Sequence, residues 1–351
     1  MNCIEDGWMR KVGIMSMQRI ANYGSFLQAY ALKQLIEEVG CNVEFVDYHV
    51  GAPVITENAD SKNKVVRKIE KGLETFRYRA PLAHKLSFIR YKQSFAQKYM
   101  PLLEITDEMN YNPTVDCLVI GSDEVFNCIQ KNSNVGYSPE LFGKNNHAKK
   151  LITYAASFGN TTLVKLEKYK KTDEVGALLK KFDAISVRDA NSGAIVEQLT
   201  GKEPLYNLDP VLTYDYMNCC DKIPQVQTNE KYLILYAYAG RISNEEADWI
   251  SDYAKKKKLK VYAIGGIQKC ADRFVDCSPF EVLAYFRNAE EVITDTFHVS
   301  IFSVITHRPF TTLIRKSVGN SYGNEEKLSD LLKRLKLADR MTTKIEDAEN
   351  I

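Results

Sequence analysis

The sequence predicts an α/β protein of two Rossmann-like domains, each a parallel sheet with helices on both faces. Three observations predict it. Short apolar runs recur along the chain, and helical patterns separate nearly all of them. The runs are continuous, not alternating in polarity, as expected of strands buried on both faces. A length of 351 residues suits two domains at about 100–200 residues each.

The elements follow in order. "KVGIMSM" (Lys11–Met17) is a strand, and a polar turn leads into the helical "FLQAYALKQLIEEVG", closed by Gly40. "NVEFVDY" (Asn42–Tyr48) is the second strand. Asp116–Asp123, Leu151–Gly159, Ala184–Asp189, Tyr232–Gly240, Val261–Gly266, Glu291–Asp295 and Pro309–Ile314 supply seven more. The aperiodic polar stretch "YDYMNCCDKIPQVQTNE", which holds Pro224, divides the chain into domains 1–213 and 214–351. One segment breaks the alternation. Residues 61–100 read as two helices split at Pro81, an insertion in the first domain. Val65, Val66, Ile69, Leu73 and Phe76 form an apolar stripe there, opposite Lys64, Arg67, Lys68 and Lys71. This is either a solvated basic face or a peripheral contact with anionic lipid.

Composition excludes several classes. Lys and Arg exceed Asp and Glu by 47 − 45 = 2, without the basic excess of a nucleic-acid binder. "MNCIEDGWMRKVGIMSM" has acids before any apolar run and predicts no secretion signal, and no apolar window reaches the roughly 18 residues of a membrane span. The eight cysteines form no Cys-x-x-Cys pair, so neither a zinc site nor a disulfide scaffold is expected. The predicted compartment is the cytoplasm.

Ligands of open parallel sheets bind beyond the carboxyl ends of the strands, and the residues standing there are the site candidates. After the first strand come Arg19, Asn22, Tyr23, Gly24 and Ser25. Gly24 and Ser25 open a helix whose N–H groups suit an anion or a sugar hydroxyl, or they form a simple N-cap. The loop is not Gly-x-Gly-x-x-Gly, so dinucleotide binding finds no support. "GSDEVFN" places Asp123 and Asn127 after the third strand. Asp123 can take a proton from a sugar hydroxyl, or it or Ser122 can cap a helix. Arg188 ends "AISVR", where its planar fork suits carboxylate or phosphate. His298 falls in the first turn of "FHVSIFSVI", where N–H groups and the helix dipole favour an anion. A lone histidine in a helix is otherwise structural.

With these residues identified, the chain resembles the polysaccharide pyruvyltransferase family. The likeness is carried by "GIMSMQRIANYGSFLQAYAL", "DCLVIGSDEVFN", "ITYAASFG", "AISVRDANSG", "LDPVLTY" and "AEEVITDTFHVSIFSVI", in order and spacing. The resemblance implies a GT-B-like fold, two Rossmann-like domains facing across a cleft, with the acceptor on the N-terminal side and the donor on the C-terminal side. It implies transfer of the pyruvyl group of phosphoenolpyruvate onto two hydroxyls of a sugar in a bacterial surface-polysaccharide or exopolysaccharide precursor. The product is a ketal, and no cofactor or metal is needed. Arg188 and His298 match residues associated with phosphoenolpyruvate, Thr296 and Arg19 join them, and His298 and Asp123 are the expected catalytic pair. Asn22, Tyr23, Gly24, Ser25 and Asn127 are expected on the sugar. Members carry an arginine two residues before the histidine; here Thr296 stands in that place. Charge must then come from elsewhere, with Arg19, Arg241, Arg308 and Arg315 as candidates. A lipid-linked acceptor would place the enzyme at the inner face of the membrane. The alternatives are a nucleotide-sugar glycosyltransferase on the same fold and a non-catalytic sugar-binding member.

Overall fold

A computed structural model describes residues 10–55, 74–130, 134–316 and 324–350. Along the chain run β1 (Lys11–Met15), α1 (Tyr23–Glu38), β2 (Asn42–Phe45), α2 (Leu82–Tyr99), β3 (Cys117–Ile120), β4 (Lys150–Thr153), β5 (Ser186–Val187), α3 (Ala190–Thr200) and β6 (Leu205–Tyr206). Then come β7 (Tyr232–Tyr236), α4 (Asn244–Lys256), β8 (Lys260–Ile264), β9 (Arg273–Phe274), α5 (Pro279–Asn288), β10 (Glu291–Thr294), α6 (Phe297–Ile305), β11 (Phe310–Leu313), α7 (Glu325–Arg334) and β12 (Met341–Thr342). Shorter helices lie between some of these. Every expected strand has its counterpart, shorter than the apolar run that announced it. The two-residue strands β6, β9 and β12 are too short for any periodicity to betray.

The chain forms two compact units. The first holds the described residues up to 20, from 25 to 55 and from 100 to 214; the second holds 21–24, 74–99 and those from 215 onward. In the first, a four-stranded sheet has the order β2-β1-β3-β4, and the β5-β6 pair is attached through isolated bridges such as Ile152↔Ala184 and Ala156↔Val187. In the second, six strands have the order β12-β11-β10-β7-β8-β9. All these pairings are parallel. The α/β class with parallel sheets is the one the continuous apolar runs predict: all five residues of β7 are buried.

Local chemistry sets the helix limits. Gly40 takes φ +81° just past α1, a left-handed backbone that glycine adopts without a Cβ penalty. Ser243 with Glu246, and Ser278 with Glu281, form capping boxes at the starts of α4 and α5. Pro279 occupies the first turn of α5, where a missing N–H costs nothing.

One assignment changes. The sequence places 61–100 in the first domain, whereas residues 74–99 group with the second unit. The cause is apolar packing. Phe88 and Tyr91 of α2 meet Phe274 of β9, and Tyr91 and Phe95 meet Tyr23. Lys64, Val65, Val66, Arg67, Lys68, Ile69, Lys71 and Leu73 lie outside the described residues; Phe76 is exposed. Among the described residues, no helix is long and apolar enough to cross a membrane.

Phe95 is wholly buried in this aromatic cluster. Phe95→Ala is expected to cost about 3–5 kcal/mol by equilibrium denaturant unfolding. A loss below about 1 kcal/mol would mean that α2 is not docked through this face.

Candidate functional site

Parallel strands deliver their carboxyl ends to one edge of the sheet. In the first unit this edge carries Ser16 after β1, Ser122 and Asp123 after β3, and Arg188 after β5. These residues form a buried polar network. Arg188 Nη1 donates to Asp209 Oδ2 at 2.7 Å, and Ser122 Oγ donates to the same oxygen at 3.1 Å. Arg188 Nη2 lies 3.4 Å from Asp123 Oδ1, and Ser25 Oγ donates to Asp123 Oδ2 at 2.8 Å. Gln28 reaches Ser16 at 3.0 Å, and Ser16 donates to the carbonyl of Ser122 at 2.9 Å. Burial works against the guanidinium charge, but Asp209 and Asp123 outweigh it, so Arg188 is held firmly charged.

Asp123 sits at φ +78°, a left-handed conformation that aspartate tolerates because its short side chain bonds locally, here to the N–H of Glu124. No helix directly follows β3 among the described residues, so the capping role open to Ser122 and Asp123 is not taken up. Asp189 N-caps α3 instead. Asp209 is the partner that sequence reasoning missed. Its signal was the Asp-Pro pair in "LDPVLTY", and Asp209 does cap the short helix Pro210–Thr213 through the N–H of Val211.

Two expected ligands have structural roles in the first unit. Arg19 makes a bidentate pair with Asp47 at 2.6 and 2.7 Å and donates to the carbonyls of Thr106 and Glu108. Its donors tie a loop to the sheet. Asn127 is buried and holds Glu124 and Asn160 through its amide nitrogen, and the Ile129 N–H and Thr161 hydroxyl through its oxygen. It organises the loop.

In the second unit, Tyr23 is fully buried and donates to the carbonyl of Cys277 at 2.9 Å; burial pushes its phenol well up. It is a core residue of the aromatic cluster. Asn22 stands half-buried just before α1. Gly24 has a specific reason to be glycine: a Cβ there would fall 2.5 Å from Nδ1 of His298. The imidazole therefore packs against the Gly24 backbone. His298 is the second residue of α6 and Thr296 is its N-cap, with the Thr296 hydroxyl paired to Thr294 at 3.1 Å instead of closing the cap. Arg188 belongs to the first unit, and His298 and Thr296 to the second.

The sequence reading left unassembled an open cavity of about 600 Å³ in the second unit, at the carboxyl ends of its strands. Arg241, Asp295, Ile314, Arg315, Lys316 and Thr343 line it; His298 and Thr296 are not among them. Arg241 stacks on the Tyr238 ring at 4.5 Å, and Arg315 is forked onto Glu246 at 2.6 and 3.1 Å. Asp295 is fully buried, with Oδ2 3.6 Å from Arg241 Nη1, and neither of its oxygens accepts a hydrogen bond from a described residue. Burial raises its pKa, against the opposing pull of Arg241, Arg315 and Lys327. Of the four arginines expected to supply the charge missing at Thr296, Arg241 and Arg315 are here. Arg308 binds the carbonyls of Thr306 and Ala289 before β11, at the opposite end of that strand. The signal for Asp295 was a carboxylate at the end of the apolar run Glu291–Asp295.

Two outcomes follow from this geometry. Asp209→Ala leaves Arg188 buried without its closest counter-charge and is expected to cost about 3–5 kcal/mol in denaturant unfolding. Gly24→Ala is expected to destabilise by about 1–3 kcal/mol through overpacking on the imidazole. The double variant Gly24→Ala/His298→Ala should recover most of that loss; no recovery would place the clash elsewhere.

Comparison with known proteins adds the family. Among solved structures the chain is similar to S. aureus MnaA in its UDP co-structure (11% identity over 97% of this chain and 94% of that one, TM-score 0.45). It is also similar to UDP-GlcNAc 2-epimerase from Methanocaldococcus jannaschii (10%, 97% and 91%, TM-score 0.46) and to E. coli heptosyltransferase WaaC with ADP-2-deoxy-2-fluoro heptose (12%, 94% and 99%, TM-score 0.38). No curated protein matches the sequence. The polysaccharide pyruvyl transferase family model matches residues 22–317, most of the chain, from the first turn of α1 past the cavity residues Arg315 and Lys316, and the chain belongs to that family.

Proposed function

We propose that this protein moves the pyruvyl group of phosphoenolpyruvate onto two hydroxyls of a sugar in a surface-polysaccharide precursor, closing a ketal and releasing phosphate. The observation that carries the reading is the cavity beyond the second sheet, where Arg241, Arg315 and Lys316 converge. The donor brings a phosphate and a carboxylate, and planar guanidinium groups bind both by paired hydrogen bonds. These cations stand in for the arginine replaced by Thr296. His298, in the first turn of α6, is assigned to the donor phosphate and takes its place beside the N-terminal N–H groups of that helix.

On the acceptor side the reading uses Asp123 and Ser25. The Asp123 carboxylate is 14% exposed, anchored by Ser25 and the Glu124 N–H, and set beside a permanently charged Arg188. It would accept the proton of the attacking sugar hydroxyl, while Ser25 orients the sugar. Protonation of the donor's methylene carbon creates an oxocarbenium-like centre at C2. Two sugar oxygens bond to it as its bond to the phosphate oxygen breaks, and the two hydroxyl protons balance the one gained by the methylene carbon and the one carried off by phosphate. The reaction calls for no cofactor besides the donor. The setting is the cytoplasm, with a lipid-linked sugar as one form of the acceptor.

Thermal shift tests the donor. Phosphoenolpyruvate at about 100 times its Kd should stabilise the protein by roughly 2.7 kcal/mol, and Arg241→Met or His298→Ala should abolish that shift. Uridine diphosphate should give none. A shift with the nucleotide and none with phosphoenolpyruvate would overturn the proposal in favour of a glycosyltransferase.

A further inference from the structure

We infer that Asp295 is a proton-linked counter-charge of the anion cavity: ionised, it holds Arg241 in the empty site, and it takes up a proton when a phosphate-bearing ligand enters. This deepens the donor-site reading and rests on it. The argument starts from geometry. Asp295 ends β10 beneath the cavity, fully buried, with both oxygens lacking a hydrogen bond from any described residue. A permanently ionised carboxylate in such a place would normally be bonded on both oxygens, because each unmet acceptor costs free energy. Among the described residues its ion-pair partner is Arg241 at 3.6 Å, outside hydrogen-bond range. The surrounding groups explain why the charge can switch. Arg241 follows β7, Arg315 and Lys316 follow β11, Lys327 lies on α7, and the Tyr236 phenol ends β7. Glu246 neutralises much of Arg315. The cations keep the carboxylate ionised only while their field is not spent on another anion.

A doubly charged ligand on Arg241 and Arg315 removes that support and adds repulsion, so the carboxyl takes a proton. Linkage gives the sign. The pKa of Asp295 is higher in the liganded state than in the empty one. Between those two values, affinity falls as pH rises, by about tenfold per pH unit for one proton. Below the empty-state value the dependence vanishes. Asp295 is thus a positioning residue that acts through Arg241, making the cavity selective for anions that can meet the guanidinium squarely.

Sulfate is the probe, because its charge does not change between pH 5 and 8.5, unlike that of inorganic phosphate. Calorimetric titration of the whole protein in buffers of different ionisation enthalpy reads the protons taken up, with ionic strength held constant by chloride. The wild type should take up a proton fraction rising towards one, with affinity weakening as pH rises. Asp295→Asn should bind sulfate without pH dependence, and more tightly than the wild type at the alkaline end. His298 lies three residues further along the chain, and His298→Ala serves as the control. Uptake that survives in Asp295→Asn but disappears in His298→Ala would overturn the inference. Binding by the wild type with no proton uptake would overturn it without any variant. No detectable sulfate binding would overturn the anion cavity itself. Linkage to sulfate without any response to phosphoenolpyruvate would leave the inference standing and remove the donor reading.

Discussion

The first unit depends on one buried ion pair. Arg188 and Asp209 expose 3% and 1% of their side chains, and their 2.7 Å contact joins the end of β5 to the Asp-Pro turn that follows β6. Separated, either charge would be stranded in the interior at a cost of several kcal/mol. Together they set the position of Ser122, Asp123 and, through Asp123, Ser25. The left-handed backbone at Asp123 is held in the same way, by partners on three sides. The side chain expected at phosphate or carboxylate is here the centre of a network that links Ser122, Asp123 and Ser25.

The second unit handles a buried carboxyl differently. Asp209 has a guanidinium, a hydroxyl and a backbone N–H, whereas Asp295 has one loosely placed guanidinium and no hydrogen bond from a described residue. In the first case the charge is permanent and structural. In the second, the balance between burial and neighbouring cations can be tipped by whatever enters the cavity. Both carboxyls stand beside the carboxyl edge of a parallel sheet, so the contrast lies in their partners and not in their place in the fold.

The family's missing arginine is the point where chain order and spatial order part. Thr296 uses its hydroxyl on Thr294, and α6 contains no lysine or arginine. Arg241 and Arg315, far apart in sequence, meet at one cavity because β7 and β11 flank β10 in the sheet. Arg19 and Arg308 looked equal to them as residue types. Asp47 and backbone carbonyls absorb those two.

By itself the sequence determined the α/β class, the strands long enough to show an apolar run, and the sheet edge at which the site candidates stand. These depend on local periodicity and on the rule that parallel strands point one way. It also marked Asp123, Arg188 and His298 as polar residues that need a reason to be where they are. Only the tertiary structure decided what that reason is. It paired Arg188 with Asp209, put the His298 ring against Gly24, buried Tyr23 in an aromatic core and moved α2 to the second unit. Such outcomes depend on burial and on partners distant in the chain, and a charge or a ring carries no local mark of which partner it will meet.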